Sequence, residues 1–215
     1  MDRLHAVRLA SLGLWLSGAL AVAGAVGCER GGGDKKKEPP ESGDRVDSVQ
    51  AGKPDKQVSL EEFCDVRAKT AASSPTVSLP PLAGGKSAPG KGTWRWLNLW
   101  ATWCKPCIEE MPQLAAWHEQ LAKENVKFDL VFVSVDDSDD LIERFREKHP
   151  DAPPTSLRLA DAEALPKWLG AIGLGESAPI PVHVFVDPDD HVRCVRAGGV
   201  KEKDLSAVKA ILGSP

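Results

Sequence analysis

Apolar residues gather in one run near the start of the chain and return in short, spaced runs after residue 59. The first run extends from Leu9 to Val26, whereas the segment that follows it, up to residue 58, is mostly charged and polar with few apolar residues. Such a segment cannot bury enough surface to offset the entropy lost on ordering. The chain is therefore predicted to have a leader at 1–27, a disordered tether at 28–58 and a folded domain at 59–215.

After residue 59 the hydrophobic spacing alternates between the period of a strand and that of a helix. Strands are predicted at 77–79, 94–100, 127–136, 156–159, 182–186 and 191–196. Helices are predicted at 60–72, from Cys104 to about 124 with a break at Pro112, at 139–148, at 162–168 and at 201–212. Early strand–helix–strand crossovers give parallel strands, and the final hairpin adds antiparallel ones. This order predicts an α/β domain with a mixed central sheet flanked by helices.

Two of the predicted helices have a distinct apolar face. In the helix at 139–148, Leu141, Ile142 and Phe145 are expected to lie on the buried face. The last helix is expected to turn four apolar residues inward, namely Leu205, Val208, Ile211 and Leu212.

The composition of the chain and its N-terminal sequence indicate where the domain is located and which partners it can have. The 215 residues carry a net charge of −4 and no large basic block, so a nucleic-acid partner is not expected. Positive residues, the apolar run and a small-residue end describe a secretory signal. Cys28 directly after those small residues resembles the lipobox of bacterial lipoproteins, although Ala25 stands where that family prefers Leu. Cleavage without lipid and a retained anchor are the alternatives, and all three place the domain outside the cytoplasm.

Cys104 and Cys107 stand where the buried strand at 94–100 gives way to a helix, with Lys105 and Pro106 between them. This spacing puts both sulfur atoms on one side of the first turn, where they can form a disulfide. The free N–H groups of a helix start favour a thiolate, Lys105 adds a cation, and Pro106 suits a first-turn position. We therefore predict a thiol–disulfide exchange centre. Cys104 is expected to be exposed and to attack a partner disulfide, and the more buried Cys107 is expected to resolve the mixed disulfide.

A Cys-x-x-Cys pair also occurs in zinc sites and at haem attachment points. Zinc would need two further ligands from Cys64, Cys194, His183 and His191, none of which forms a second close pair. Haem attachment needs a His directly after the second Cys, and Ile108 stands there. We therefore expect no metal and no other cofactor.

The run Trp-Ala-Thr-Trp-Cys-Lys-Pro-Cys from Trp100 to Cys107, with Glu-Glu-Met-Pro from Glu109, resembles the thioredoxin superfamily. More narrowly it is similar to the TlpA/ResA-type membrane-tethered thioredoxins. The resemblance covers about 77–212 and implies a thioredoxin fold with an extra helix–strand insert, which we place within 137–169. It also implies that Trp100 and Trp103 belong to the surroundings of the active site.

The family has a cis-proline that faces the active-site disulfide. Pro181, directly before the strand at 182–186, matches that position. Pro179 is the competing candidate, but it lies further from the strand.

Two positions depart from relatives in this resemblance. Asn98 stands where cytoplasmic thioredoxin has a buried Asp, and Lys105 replaces a Glu that some members use as an acid–base group. Proton transfer to Cys107 would then involve water, Glu109 or Glu110. We expect the two glutamates to stabilise the helix dipole in the first turn instead.

Cys64 and Cys194 remain once the other cysteines are assigned. In an oxidising compartment an even remainder favours pairing. The bridge would close a loop of about 130 residues and contribute roughly 4–5 kcal/mol in the chain-entropy account. Two separate buried thiols are the alternative.

The resemblance implies a reductase of specific protein disulfides in the bacterial periplasm, such as those met in cytochrome c or copper-site maturation. Its partners would be those substrates, a membrane thiol-electron donor and the membrane reached through the lipid on Cys28. A disulfide-forming oxidase is the alternative, and a reduction potential near −270 mV or −120 mV separates the two. A Cu(I)-binding metallochaperone is a third hypothesis, which the shortage of Met and His ligands disfavours. The Trp-Cys-Lys-Pro-Cys run argues against a peroxidase.

Overall fold

The computed structural model describes residues 58–70 and 73–213. The six strands in these residues form one sheet in the order β1–β6–β5–β2–β3–β4. They are β1 (Val66–Arg67), β2 (Trp94–Trp100), β3 (Phe128–Ser134), β4 (Leu157–Arg158), β5 (Val182–Val186) and β6 (Val192–Ala197). The helices are α1 (Leu60–Phe63), α2 (Lys105–Lys123), α3 (Asp139–Lys148), α4 (Ala164–Ala171) and α5 (Leu205–Leu212). The predicted α/β class, with a mixed sheet flanked by helices, is confirmed.

The predicted leader, Cys28 and the tether up to residue 57 lie outside the described residues. Within 58–70 and 73–213, no helix combines the length and the hydropathy that crossing a bilayer requires.

The central strand β2 is buried at all seven of its positions. It pairs in parallel with β3 on one edge and antiparallel with β5 on the other. Successive side chains of a strand point to opposite faces, so Trp96 and Asn98 lie on one face of the sheet and Leu97 and Leu99 on the other. All four are almost completely inaccessible to solvent. The sheet is therefore covered on both faces, and Asn98 brings a polar group into the core.

Helix α2 covers the face of the sheet that carries Trp96, and the ring centroids of Trp96 and Trp117 lie 6.3 Å apart. The predicted break at Pro112 is wrong, because α2 runs through that residue without interruption. Proline removes one backbone hydrogen bond of the helix. Buried side chains on both sides of it, from Met111 to Leu121, hold the helix against the sheet.

The helix predicted over 60–72 is wrong beyond its first turn. Ser59 and Glu62 form a capping box that begins α1, but the backbone is already extended at Cys64. From there β1 pairs antiparallel with β6, and a disulfide joins Cys64 to Cys194. The pairing with β6 provides partners for backbone groups that a longer helix would have satisfied internally.

Several predicted elements have the predicted bounds, namely the strands at 94–100 and 182–186 and the helix at 139–148. The strand predicted at 156–159 is two residues long. The last helix begins as a 3₁₀ turn at Glu202–Asp204 before α5.

Two further expectations fail. No strand forms at 77–79; Thr76 makes an isolated bridge with His191, and the N–H of Val77 donates to the carbonyl of Asp190 at 2.7 Å. Leu141 is 40% exposed, so the buried face of α3 consists of Ile142 and Phe145. In a helix of ten residues, Leu141 and Ile142 are adjacent and point about 100° apart, so only one of them faces the sheet directly.

Asp187 closes the hairpin between β5 and β6. One carboxylate oxygen accepts the backbone N–H groups of Asp189 and His191 at 3.0 and 2.9 Å. The other accepts from Arg193 Nη1 at 3.2 Å. Burial raises the pKa of Asp187, but the bonds from His191, Arg193 and Asp189 outweigh burial, so the pKa lies below its ordinary value.

We expect Asp187→Asn to lower the free energy of unfolding by about 1–3 kcal/mol at neutral pH, because it removes hydrogen bonds to a charged group. A carboxyl whose pKa is lower in the folded state stabilises the fold above its unfolded pKa. This stabilisation is lost as the pH falls through the lower folded value. Urea unfolding should therefore show that the difference in free energy of unfolding between wild type and variant becomes smaller below about pH 4. The exposed Asp189→Asn is the control, and a gap that is constant with pH would contradict this account.

We expect the double variant Cys64→Ala, Cys194→Ala to lose about 5 kcal/mol of stability, because the disulfide closes a loop with a sequence separation of 130. The control is Cys104→Ser, Cys107→Ser, which opens a loop with a separation of 3 and should lose only about 2 kcal/mol. Urea unfolding under non-reducing conditions measures both. Equal losses in the two double variants would contradict the loop argument.

Candidate active site

Cys104 and Cys107 form a disulfide at the start of α2. Cys104 is the N-cap residue, and the backbone N–H of Cys107 donates to its sulfur at 3.3 Å. Lys105 and Pro106 are the first two helical residues. The sulfur of Cys104 thus receives one of the N–H groups that a helix leaves unpaired at its start, which favours a thiolate once the disulfide is reduced.

The two cysteines differ in accessibility, but less than the sequence suggested. Cys107 is 0% exposed and Cys104 is 4% exposed. The expectation of an exposed Cys104 is therefore wrong for this disulfide form, although Cys104 remains the more accessible of the two. A partner disulfide would have to approach across the surface around Trp103, which is 69% exposed.

The peptide bond between Ile180 and Pro181 is cis. The sulfur of Cys104 lies 3.7 Å from the carbonyl oxygen of Ile180. Pro181 accepts a hydrogen bond at 2.8 Å from the N–H of Gly198, just beyond β6. The structure thus brings Pro181 and the cysteine pair together, while Pro179 precedes the cis bond.

The two active-site tryptophans have different surroundings. Trp100 is fully buried, its indole N–H donates to Ser156 Oγ at 3.0 Å, and its ring packs against Phe145. Trp100 therefore belongs to the core, whereas Trp103 belongs to the surface beside Cys104.

Lys105 points into solvent and pairs with Glu109 one turn later on the exposed side of α2. Its side chain is 82% exposed. The charge of Lys105 is thus screened by water and partly balanced by Glu109, which limits its effect on the cysteine sulfurs.

A buried polar cluster consists of Asn98 on β2, Glu110 on α2 and His183 on β5. Asn98 Nδ2 donates to Glu110 Oε1 at 2.9 Å, and His183 Nε2 lies 3.4 Å from Glu110 Oε2. The N–H of Val200 donates to Glu110 Oε2 at 3.0 Å. A β-carbon on Gly199 would lie 3.3 Å from that same oxygen, so the small residue keeps this approach open.

The expectation that Glu110 acts on the helix dipole is wrong. Glu110 is the sixth residue of α2, no acidic residue lies in the first turn, and only 4% of Glu110 is exposed. Its three-residue spacing from Cys107 places both on one buried face of the helix. The sequence did not show that Glu110 lies beside His183. A glutamate near the start of a helix is buried or exposed depending on which helix face packs against the sheet, and the sequence leaves that face open.

Asp136 is a second residue that sequence reasoning missed. It follows β3, is 2% exposed, and accepts from Thr102 N and Thr102 Oγ1 at 3.0 and 2.7 Å. Ser134 Oγ donates to the same carboxylate at 2.7 Å. Asp136 therefore fixes the loop between β2 and Cys104. The sequence did contain a signal for this contact. Asp136 follows a strand predicted to lie parallel to β2, and the carboxyl ends of parallel strands meet at one edge of the sheet, so Asp136 could be expected near the segment that follows β2.

Two of the ligands considered for zinc, Cys64 and Cys194, are joined to each other in a disulfide. In the part of the chain that the structure describes, no three His, Cys, Asp or Glu side chains converge as they would around a metal ion.

A family model described as the AhpC/TSA family matches residues 75–195. The thiol-disulfide oxidoreductase ResA of Geobacillus thermodenitrificans is 29% identical over 116 residues, which are 54% of this chain and 60% of that protein. The thioredoxin-like protein YneN of Bacillus subtilis is 35% identical over 78 residues, which are 35% of this chain and 46% of that protein. The chain thus spans less than two thirds of the length of these relatives.

Solved structures of similar fold include the thioredoxin domain of a thiol-disulfide oxidoreductase from Bacteroides vulgatus. It has a TM-score of 0.48 and 18% identity, and the match covers 65% of this chain and 94% of that chain. StoA from Bacillus subtilis has a TM-score of 0.45 and 20% identity, covering 62% of this chain and 98% of that one.

We expect Asp136→Ala to release the loop before Cys104, because Thr102 loses the acceptor for both its N–H and its hydroxyl. Amide hydrogen exchange at Thr102 should accelerate at least about tenfold, since bonds to a charged acceptor contribute roughly 1.5–3 kcal/mol. Ser134→Ala is the matched control, because it removes a neighbour of Asp136 and leaves both Thr102 bonds in place. Unchanged protection of Thr102 in Asp136→Ala would show that the loop does not depend on this carboxylate.

Proposed function

The chain belongs to the AhpC/TSA family of thioredoxin-like proteins, and on that premise we propose that it is a thiol–disulfide oxidoreductase. The observation that carries the proposal is the Cys104–Cys107 disulfide, which begins α2 and has the Cys104 sulfur 3.7 Å from the carbonyl oxygen of Ile180. A disulfide of three-residue separation at a helix start can open and close with little movement of the backbone.

The proposed reaction begins with the reduced pair. The Cys104 thiolate attacks one sulfur of a partner disulfide, a mixed disulfide forms, and the other partner sulfur leaves as a thiolate. Cys107 then gives up its proton, and its thiolate attacks the sulfur of Cys104. The second partner thiolate leaves as the Cys104–Cys107 disulfide closes. Two electrons pass to the partner, so each cycle needs a thiol donor to reduce the pair again.

Glu110 is the residue that we propose as the proton acceptor for Cys107. Both side chains are buried on the same face of α2, and residues three apart on a helix are neighbours with Cβ atoms about 5–6 Å apart. Lys105 and Glu109 are on the exposed side of the helix start, where they are paired with each other. Glu110 therefore takes the role that the sequence alone left open between water and two glutamates.

The finer proposal concerns substrates and location. We propose a reductase of specific protein disulfides, such as those in cytochrome c or copper-site maturation, outside the cytoplasm and supplied by a membrane thiol donor. We also propose the division into a leader at 1–27, a tether at 28–58 with lipid on Cys28, and a domain at 59–215. The N-terminal sequence pattern supports the location, and the resemblance around the cysteines supports the substrates.

The direction of electron flow is tested by the reduction potential of the Cys104–Cys107 pair. A value near −270 mV supports a reductase, whereas a value near −120 mV would show an oxidase that forms disulfides in its partners. Equilibration with glutathione or dithiothreitol buffers of known potential, followed by alkylation, measures it.

We expect Cys104→Ser to abolish reduction of an insulin-type disulfide, because no thiolate remains to attack. Cys107→Ser should instead accumulate a mixed disulfide with the partner, since the resolving sulfur is missing. Non-reducing electrophoresis and mass spectrometry detect the trapped species and identify the captured protein.

The double variant Cys64→Ala, Cys194→Ala is the control for this test. It removes the other disulfide and should keep insulin reduction at temperatures where it remains folded. Full activity in Cys104→Ser would refute the proposed reaction.

A further inference from the structure

We propose that His183 is a positioning residue, held by Trp96 as a neutral imidazole whose Nε2–H faces the carboxylate of Glu110. The effect of His183 on thiol chemistry rests on the proposed function. The position of hydrogen on its imidazole ring does not depend on that function. His183 is fully buried in β5 and does not reach the cysteines, so it would act through Glu110.

The Nδ1 atom of His183 is restricted to accepting a hydrogen bond. The indole N–H of Trp96 lies 3.1 Å from it, and an indole nitrogen can only donate. The amide Nδ2 of Asn98 lies 3.4 Å from the same atom. A second proton on the ring would place an N–H against the N–H of Trp96. The neutral form with hydrogen on Nε2 is therefore the one that these neighbours permit.

Trp96 cannot easily turn away to relieve such a conflict. It is fully buried and stacks on Phe185 with ring centroids 5.0 Å apart. The rings of Trp117 and Phe128 lie 6.3 Å away on other sides. Moving the indole would require the packing of three aromatic side chains to change, and close-packed interiors resist such changes.

The Nε2 atom points toward the carboxylate. Among residues 58–70 and 73–213 it has no hydrogen-bond partner, and Glu110 Oε2 lies 3.4 Å away. A buried N–H without a partner is costly, and a shift of a few tenths of an ångström would complete a bond to a charged acceptor. The N–H is therefore placed to donate to the carboxylate of Glu110.

The other charged groups around His183 are already engaged. Arg196 lies directly opposite His183 in the β5–β6 register. Its guanidinium donates to the carbonyl of Phe63 at 3.0 Å and lies 3.8 Å from Asp204. On the side of α2, Glu110 is the carboxylate that meets the imidazole ring. A proton that leaves Cys107 would thus be received by Glu110 and not by His183.

The first experiment reads the protonation form directly. Long-range ¹⁵N–¹H NMR spectra of the ¹⁵N-labelled full chain report which imidazole nitrogen carries hydrogen, and His183→Gln assigns the signals of His183. We expect hydrogen on Nε2, since Nδ1 accepts from the indole N–H of Trp96. A ring protonated on both nitrogens, or on Nδ1 alone, would overturn the proposal. This measurement needs no disulfide exchange, so it separates failure of the inference from failure of the proposed function.

The second experiment measures how the rate of insulin reduction depends on pH in wild type, His183→Phe, His183→Gln and Glu110→Gln. His183→Phe removes the N–H beside the Glu110 carboxylate, so the position of the inflection should change. His183→Gln can accept from Trp96 and donate toward Glu110, so it should restore the inflection to near the wild-type pH. Glu110→Gln should lose the inflection.

Two outcomes of the pH series would contradict the positioning role. Equal shifts in His183→Phe and His183→Gln would show that the ring itself exchanges the proton. No shift in either variant would show that Glu110 does not sense His183. If His183→Phe does not fold, the comparison between His183→Gln and wild type, together with the NMR spectra, still decides the question.

Discussion

The hydrogen bond between Asn98 and Glu110 ties the central strand of the sheet to the helix at whose start Cys104 and Cys107 form a disulfide. A buried carboxylate is stable only where donors surround it, and here the donors come from β2 and from the backbone at Val200. This requirement fixes the rotation of α2 about its own axis. Because Cys107 lies on the same helix face, the rotation that satisfies Glu110 also turns Cys107 inward.

The start of α2 is held in place from two further directions. Asp136 at the end of β3 fixes the loop before Cys104 through Thr102, and the Ile180 carbonyl before β5 lies beside the Cys104 sulfur. The sulfurs of Cys104 and Cys107 are therefore positioned by β2, β3 and the segment before β5 together. A site built on neighbouring strand ends keeps its geometry when surface loops vary, since the strands are fixed by their own pairing.

Sequence reasoning succeeded where local pattern determines structure. The runs that form β2 and β5 and the helix α3 had clear boundaries, and the spacing of Cys104 and Cys107 predicted the disulfide at the start of α2. It failed where the outcome depends on distant partners. The segment after Cys64 is extended because it pairs with β6, and Leu141 is exposed because its neighbour Ile142 takes the buried position. Glu110 and His183 lie 73 positions apart in the chain, so only the register of the folded sheet brings them together.

The Cys64–Cys194 disulfide has a consequence for how the chain is made. Cys64 leaves the ribosome long before Cys194, and Cys104 and Cys107 appear between them. Cys28 precedes all four, and once it carries the proposed lipid, a chain oxidised in order of appearance would join Cys64 to Cys104, which is not the pairing in the structure. The close spacing of Cys104 and Cys107 opposes this error, because a short loop closes faster than a long one. Early pairing of Cys104 with Cys107 would thus remove both from competition, so that Cys64 pairs with Cys194 when that residue appears.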